Sequence, residues 1–347
     1  MSICLRYKDL LEELTSVCSL SGYTSDVGKI VLREASNLGL KSGVDVLGSV
    51  SVFIAPAVTH INNSKIVMLS AHMDSCGYLV GGFGDNEGEV LLKHIGYPDV
   101  NGKQSGRVFC KDRVVDIVIK DDGIDNIPDL GWGDSDTIVA IVDNKALSYI
   151  NVGDPVQFYS KLVNKPESRF VGSFMDNKAG VVALLCVMEK LSQVKNRKDN
   201  FCLVFTELEE VSEVGGRAMA DKLKPQVHIC VDIFLHDVKK EVGRKVVIPT
   251  GPMFNKKLVR LAIEIAEENK IPYEVKITRG SAMTDVDNVV GSCGGVACVE
   301  FDIPGYGLHG PKETISKKGL LNTIKLVSKF CEKLQQVSNF FPIEGVN

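Results

Sequence analysis

The sequence predicts an α/β fold, a mixed and largely parallel sheet flanked by helices, with a small all-β domain inserted into it. Three observations carry this. After Arg169, apolar runs rich in β-branched residues alternate with helix-patterned stretches, as in strands joined by helical crossovers. Ahead of that region, a helix-patterned N-terminus leads into two strand-like runs. Between the two, from about Gly77 to Lys165, glycines and aspartates are dense and the apolar runs are short. At 347 residues the chain exceeds a typical single domain and can bury a sizeable core. The expected division is a discontinuous domain of residues 1–76 and 167–347, interrupted by a β-rich insertion at 77–166.

Taken in order, residues 8–40 carry apolar side chains at helical spacing around a Ser-Gly break at 21–22. Val44–Ile54 and Lys65–Ser70 read as strands from their β-branched content. Within the insertion VVDIVI, TIVAIV and DPVQFY read as short strands between turns such as KDDGIDN and LGWGDSD, with a helix at most around Ala146–Ile150. Beyond it come a helix over Asn177–Leu191, the strand Phe201–Thr206, a helix near Gly216–Lys222 and the strand His228–Phe234. The helix Lys256–Asn269, the strand Tyr273–Ile277, a helix near Asp285–Val290, the strand Val296–Phe301 and a last helix over Ile315–Leu334 complete the pattern.

Composition narrows the function. A net charge of −4 with no basic block argues against nucleic acid as a partner. The apolar runs are too short and interrupted for membrane spans. The opening MSICLRYKDLLEEL turns acidic where a secretory leader would be apolar, so a cytoplasmic location is expected. The ten cysteines include no Cys-x-x-Cys pair, and several, such as Cys186, Cys202, Cys230 and Cys298, lie in apolar runs. They read as small buried hydrophobes kept reduced. Cys293 and Cys298 are the one pair close enough in sequence to check.

Five segments end apolar runs with possible metal ligands: His72-Met73-Asp74, Asp176, Glu209-Glu210, Asp232 and His309. Two histidines and several carboxylates are the residue types that hold a pair of divalent cations for hydrolysis. In open α/β sheets ligands bind beyond the carboxyl ends of strands, and all of these residues but Asp176 follow or close predicted strands. Each has a plainer reading. Asp176 before a helix is also a helix cap, Glu209-Glu210 a solvated acidic turn, and His309 an ordinary turn histidine. Asp74, two residues from His72, can reach its imidazole if the strand continues, and a carboxylate there fixes the tautomer of a ligating histidine. Asp232 is harder to explain away, because a lone Asp in an apolar strand is costly unless paired or coordinated.

Together the segments SAHMDSCGYLV, GSFMDNKAGVVALL, FTELEEV, CVDI and PGYGLHGPKE resemble the metal-site motifs of a known family. These are the dinuclear cytosolic aminopeptidases that assemble as tetrahedral particles, of glutamyl, leucyl and lysyl type, some once labelled endoglucanases. VDVLGSV, LSYINVGDPVQF and MTDVDN extend the resemblance over nearly the whole chain. It implies a zinc-exopeptidase-like fold and two cations per subunit, Zn or Co. His72, Asp176 and Asp232 would hold one cation, and Asp176, Glu210 and His309 the other, with Asp176 bridging. Glu209 would be the general base and Asp74 the partner of His72. It further implies that the insertion mediates dimerisation within a twelve-subunit homo-oligomer admitting short peptides with a free N-terminus. The chain departs from the family at Leu208, where Gln is usual, at Gly310, where Ser is common, and in two extra residues after the Glu pair.

The expected reaction is removal of N-terminal residues from short peptides by a water activated between two metals. A dinuclear deacylase or carboxypeptidase acting on acylated amino acids is the nearest rival, and a non-catalytic assembly protein the other. Arg279, Thr284, Asp285 and Asp287 fall where a substrate pocket or a surface helix cap is equally compatible.

Overall fold

A computed structural model describes residues 2–57, 64–99, 102–121, 138–165, 168–239, 242–337 and 339–340. Eleven strands form one sheet and six close a separate barrel. In the sheet, Asn200–Thr206, Ile66–His72, Val227–Leu235 and Ala297–Tyr306 lie side by side and parallel. Lys41–Val44 and Val50–Ile54 extend one edge as an antiparallel hairpin. On the other, Glu313–Ser316, Arg169–Gly172 and Val163–Lys165 add antiparallel strands. The parallel strands are almost wholly buried, as expected of a sheet covered on both faces.

The helices supply that cover. Met175–Ser192 is buried nearly throughout, so its sequence is apolar on every side rather than striped. Lys256–Glu268 and Lys317–Leu334 instead bury one face each, with Leu258, Ala262 and Ile265, and Leu320, Leu326 and Phe330, turned inward. Phe301 from the sheet meets Phe330 edge-on at 5.1 Å between ring centroids. The barrel strands are Gly77–Phe83, Glu89–Ile95, Gly102–Phe109, Val114–Asp121, Ile138–Ile141 and Pro155–Phe158. They enclose a smaller core of Tyr78, Leu92, Val108, Ile119 and Val156.

Several elements differ from expectation. The N-terminal helical stretch is two helices, Tyr7–Leu14 and Ser25–Asn37, separated by a ten-residue loop that reaches the barrel and the sheet edge. Val44–Ile54 is broken because the Asp45 side chain accepts from Leu47 and Ser49 N–H groups at 2.9 Å, making a turn. Val246–Thr250 is a strand, and Ile315 lies in a strand paired with Arg169–Gly172 rather than in the last helix. That helix starts at Lys317, where the Ser316 hydroxyl caps the Gly319 N–H. Inside the insertion, the helix expected at 146–150 is Asn144–Leu147. The turn sequences at 122–137 lie outside the described residues.

Candidate metal centre

Parallel pairing sets Thr206 beside His72, so the two strands end level and the chain after each turns over the same sheet edge. Asp232 lies on the strand adjacent to that of His72, inside Val227–Leu235 and opposite Asp302. Asp176 begins the buried helix, with its own backbone outside helical range at φ −79° and ψ 114°. Glu209 and Glu210 open a four-residue helical turn, and His309 sits in a turn at φ 62°.

These residues converge. His72 Nε2 lies 3.1 Å from Asp176 Oδ1, 3.6 Å from Asp232 and 3.7 Å from Glu209. His309 Nε2 lies 3.2 Å from Glu210 and 3.8 Å from the other Asp176 oxygen. Asp176 therefore turns one oxygen to each histidine. Three donor groups fall within 4.8 Å: His72 with Glu209 and Asp232, His72 with Asp176 and Glu210, and Cys76 with Glu210 and His309. All are largely buried except His309, whose side chain is 33% exposed and marks where the centre meets solvent.

The histidine tautomers follow from their other nitrogens. His72 Nδ1 is 3.1 Å from the Asp74 carbonyl and His309 Nδ1 is 3.1 Å from the Tyr97 carbonyl. A carbonyl only accepts, so Nδ1 carries the hydrogen and each Nε2 is turned to the carboxylates. Imidazole nitrogens and carboxylates gathered in a buried space are costly unless they share positive charge. Divalent cations fit that requirement with the N and O donors they prefer.

The electrostatics agree. Burial pushes Glu209 well above the usual carboxylate range, reinforced by Asp232 and Glu210 against the pull of His72. Burial likewise raises Glu210 to about 7, with Asp176 adding to the rise and His309 opposing it. Burial would lower His72, yet Glu209, Asp232 and Asp176 together hold it well above its usual range. This is an excess of buried negative charge seeking cations.

Asp74 differs in detail from the reading of its sequence. The strand stops at His72, so it is the Asp74 carbonyl that meets the imidazole, while its carboxylate stays 3.7 Å away. That carboxylate instead accepts the Ser21 hydroxyl at 2.6 Å and the N–H groups of Glu209 and Glu210 at 3.2 Å. It anchors the Glu pair to the His72 strand.

Three contributors were not foreseen. Glu313 accepts the N–H of Asp176 at 2.8 Å and that of His309 at 3.0 Å, tying two donor residues to one carboxylate. Its only sequence signal is that it closes the same PGYGLHGPKE segment. Lys178 is fully buried, with Nζ 2.8 Å from Ser75 Oγ and 3.4 Å from the Asp74 carbonyl. The barrel is the third: its 96–99 turn receives the His309 side chain at Tyr97, and Asp99 N–H donates to the His309 carbonyl at 2.9 Å.

The extra residues after the Glu pair form their own turn. Glu213 stands at φ 52° between two helices, and Asn288 Nδ2 donates to the Ser212 carbonyl at 3.1 Å. Thr284 and Asp285 point inward, the first donating to Glu300 and the second accepting from Thr206, while Asp287 shapes its own exposed loop. Arg279 is exposed. Cys293 and Cys298 are both free, one at the surface and one in the core.

An α/β sheet whose strand ends gather this donor set defines a metallohydrolase. Residues 136–326 match the family described as M42 glutamyl aminopeptidase, more than half the chain, and the chain belongs to that family of metal-dependent aminopeptidases. It is 24% identical to the lysyl aminopeptidase of Pyrococcus furiosus, covering 94% of this chain and 97% of the relative. Its fold is similar to an aminopeptidase of Desulfurococcus kamchatkensis, with a TM-score of 0.80 at 24% identity over 94% and 95% of the two chains. It is also similar to the TET1 peptidase of Pyrococcus horikoshii, with a TM-score of 0.76 at 23% identity over 94% and 99%. The chain is therefore an aminopeptidase, which hydrolyses N-terminal residues from peptides. Among the described residues no helix is long and apolar enough to cross a membrane.

Proposed function

We infer that this aminopeptidase works with two divalent cations per subunit, Zn or Co. His72, Asp232 and one Asp176 oxygen would hold the first, and Glu210, His309 and the other Asp176 oxygen the second. The observation that carries this reading is the Asp176 carboxylate set between two histidines, each with Nε2 turned to it. When bound, the cations supply Lewis-acid activation of water and of the scissile carbonyl.

The protein groups do the rest. Glu209, beside His72 and at the Glu-pair turn, takes the proton of the attacking water on its carboxylate and later gives it to the departing amine. A carboxylate whose affinity for protons is raised by burial suits that shuttle. Asp74 holds Glu209 and Glu210 in register through their N–H groups, and its carbonyl fixes the His72 tautomer. His309, the exposed donor, faces the side from which a short peptide with a free N-terminus arrives.

Residues 77–166 are proposed as the dimerisation domain of a homo-oligomer, with dimers assembling to a dodecamer. The Pyrococcus horikoshii relative, which assembles into a tetrahedron or a large octahedral shell, supports this reading. Ten free cysteines fit a reducing cytoplasm.

The deciding experiment is Glu209→Gln assayed on free and N-acetylated peptides, with metal content measured alongside. Expected are two cations per subunit retained and turnover on free peptides lowered by about 10²–10⁴-fold, as for loss of a general base. Unchanged turnover would remove Glu209 from the role, and cleavage of acetylated substrates by the unaltered protein would move it to the deacylases.

A further inference from the structure

Cys76 follows the His72-Met73-Asp74 segment at the point where the sheet hands over to the barrel, and its side chain is 2% exposed. Most buried cysteines are small hydrophobes, and Cys186, Cys202 and Cys298 fill that role among apolar neighbours. Cys76 has different company. Its sulfur, a Glu210 oxygen and a His309 ring nitrogen all lie within 4.8 Å of one another. No other cysteine among the described residues falls in such a group. The sulfur makes only a long contact of its own, 4.0 Å from the His309 carbonyl.

The surrounding backbone accommodates the thiol. A Cβ at Gly96 would stand 2.9 Å from Cys76 Cβ and 3.2 Å from the Glu210 carbonyl. The barrel turn thus closes directly over Cys76 and Glu210, and then binds His309 through Tyr97 and Asp99. Three donors of different chemistry are boxed together, and Asp176, grouped with His72 and Glu210, borders them with its second oxygen 3.8 Å from His309 Nε2.

We propose that Cys76 is a thiolate ligand of the second cation, completing with Glu210, His309 and Asp176 a four-donor site of one sulfur, one nitrogen and two oxygens. This rests on the two-cation reading above. A cation displaces the thiol proton to solvent as the sulfur–metal bond forms, so one proton is released per site filled. Four donors including a thiolate suit zinc or cobalt and disfavour the hard cations magnesium, calcium and manganese. The second position would therefore be softer in character than the first, which draws only on His72 and carboxylates.

The test is spectroscopic. Metal-free full-length protein is titrated with cobalt(II), and bound cobalt is counted while the near-ultraviolet sulfur-to-cobalt charge-transfer region is recorded. The same is done for Cys76→Ser, and for Cys293→Ser as a control because Cys293 is the exposed thiol. Expected are two cobalt ions per subunit and a charge-transfer band that is lost in Cys76→Ser and kept in Cys293→Ser. Two bound cobalt ions without a band overturn the ligand assignment and leave the two-cation reading standing. A band that survives Cys76→Ser overturns it too, assigning the sulfur elsewhere. One cobalt per subunit with a Cys76-dependent band keeps the thiolate and removes the second cation, whereas one cobalt without a band removes both. The unaltered protein's spectrum alone can refute the proposal, so it does not depend on the variant folding.

Discussion

Gly96→Ala tests whether the barrel turn holds the metal centre closed. Gly96 has φ +68°, so any side chain there meets the left-handed penalty of roughly 1–2 kcal/mol. The added methyl must also fit 2.9 Å from Cys76 Cβ and 3.2 Å from the Glu210 carbonyl, both fixed to donor residues. Overpacking of that kind typically costs about 1–3 kcal/mol, for a total of about 2–5. Gly39 has φ +67° with nothing within 4 Å of its would-be Cβ, so Gly39→Ala carries the backbone penalty alone. Urea unfolding of the two metal-free variants beside the parent gives the excess due to packing. Cation affinity should fall in Gly96→Ala only, since a displaced turn carries Tyr97 and Asp99 away from His309. Equal destabilisation of the two variants, with unchanged metal affinity in both, would refute the description of this turn as the wall of the site.

Glu313→Gln places an amide donor against one of two N–H groups that now share a carboxylate, those of Asp176 and His309. A loss of about 10–100-fold in zinc affinity is expected, measured by chelator competition, and an unchanged affinity would contradict the tying role. His228 is fully buried with Nε2 2.8 Å from Ser70 Oγ, and burial pushes it down to about 3. Between about 3 and the ordinary 6.5 the unfolded chain binds a proton that the folded one refuses, so stability is lost as pH falls through that window. The gap corresponds to roughly 5 kcal/mol at full extent. His228→Gln should flatten this loss, read as the difference in urea midpoint between the two proteins from about pH 7 down to about pH 4. Parallel profiles would show that His228 does not contribute.

The parts of this molecule that sequence reveals are those whose chemistry is local. The strand Ile66–His72 shows itself through its β-branched residues and the buried helix Met175–Ser192 through its continuous apolar run. Asp232 stands out because an acid inside an apolar strand needs a partner. What stays hidden depends on residues far apart in the chain. Val246–Thr250 is a strand because Tyr273–Ile277 pairs with it, which overrides a short run containing Pro249. Glu313 matters because Arg169–Gly172 pairs with its strand and brings it under Asp176, and Asp74 changes its contact because the strand ends at His72, short of Asp74. Tyr97 and Asp99 carry no motif, and their part in the site depends on where the barrel sits.

That last dependence has a mechanical consequence. The His72 side of the centre is held by elements of the sheet: the strand itself, Asp232 in the adjacent strand, and Asp74 gripping the Glu pair. These are buried parallel strands, the stiffest part of such a fold. The His309 side is held otherwise, by Glu313 from the sheet edge and by Tyr97 and Asp99 from the barrel. The barrel is itself fastened to the N-terminal loop, where Gln157 accepts the Ser19 N–H at 2.8 Å and the Tyr23 hydroxyl donates to the Gly153 carbonyl at 3.1 Å. The barrel thus bears on His309 through Tyr97 and Asp99, whereas Glu210 beside it is held from the sheet side by Asp74.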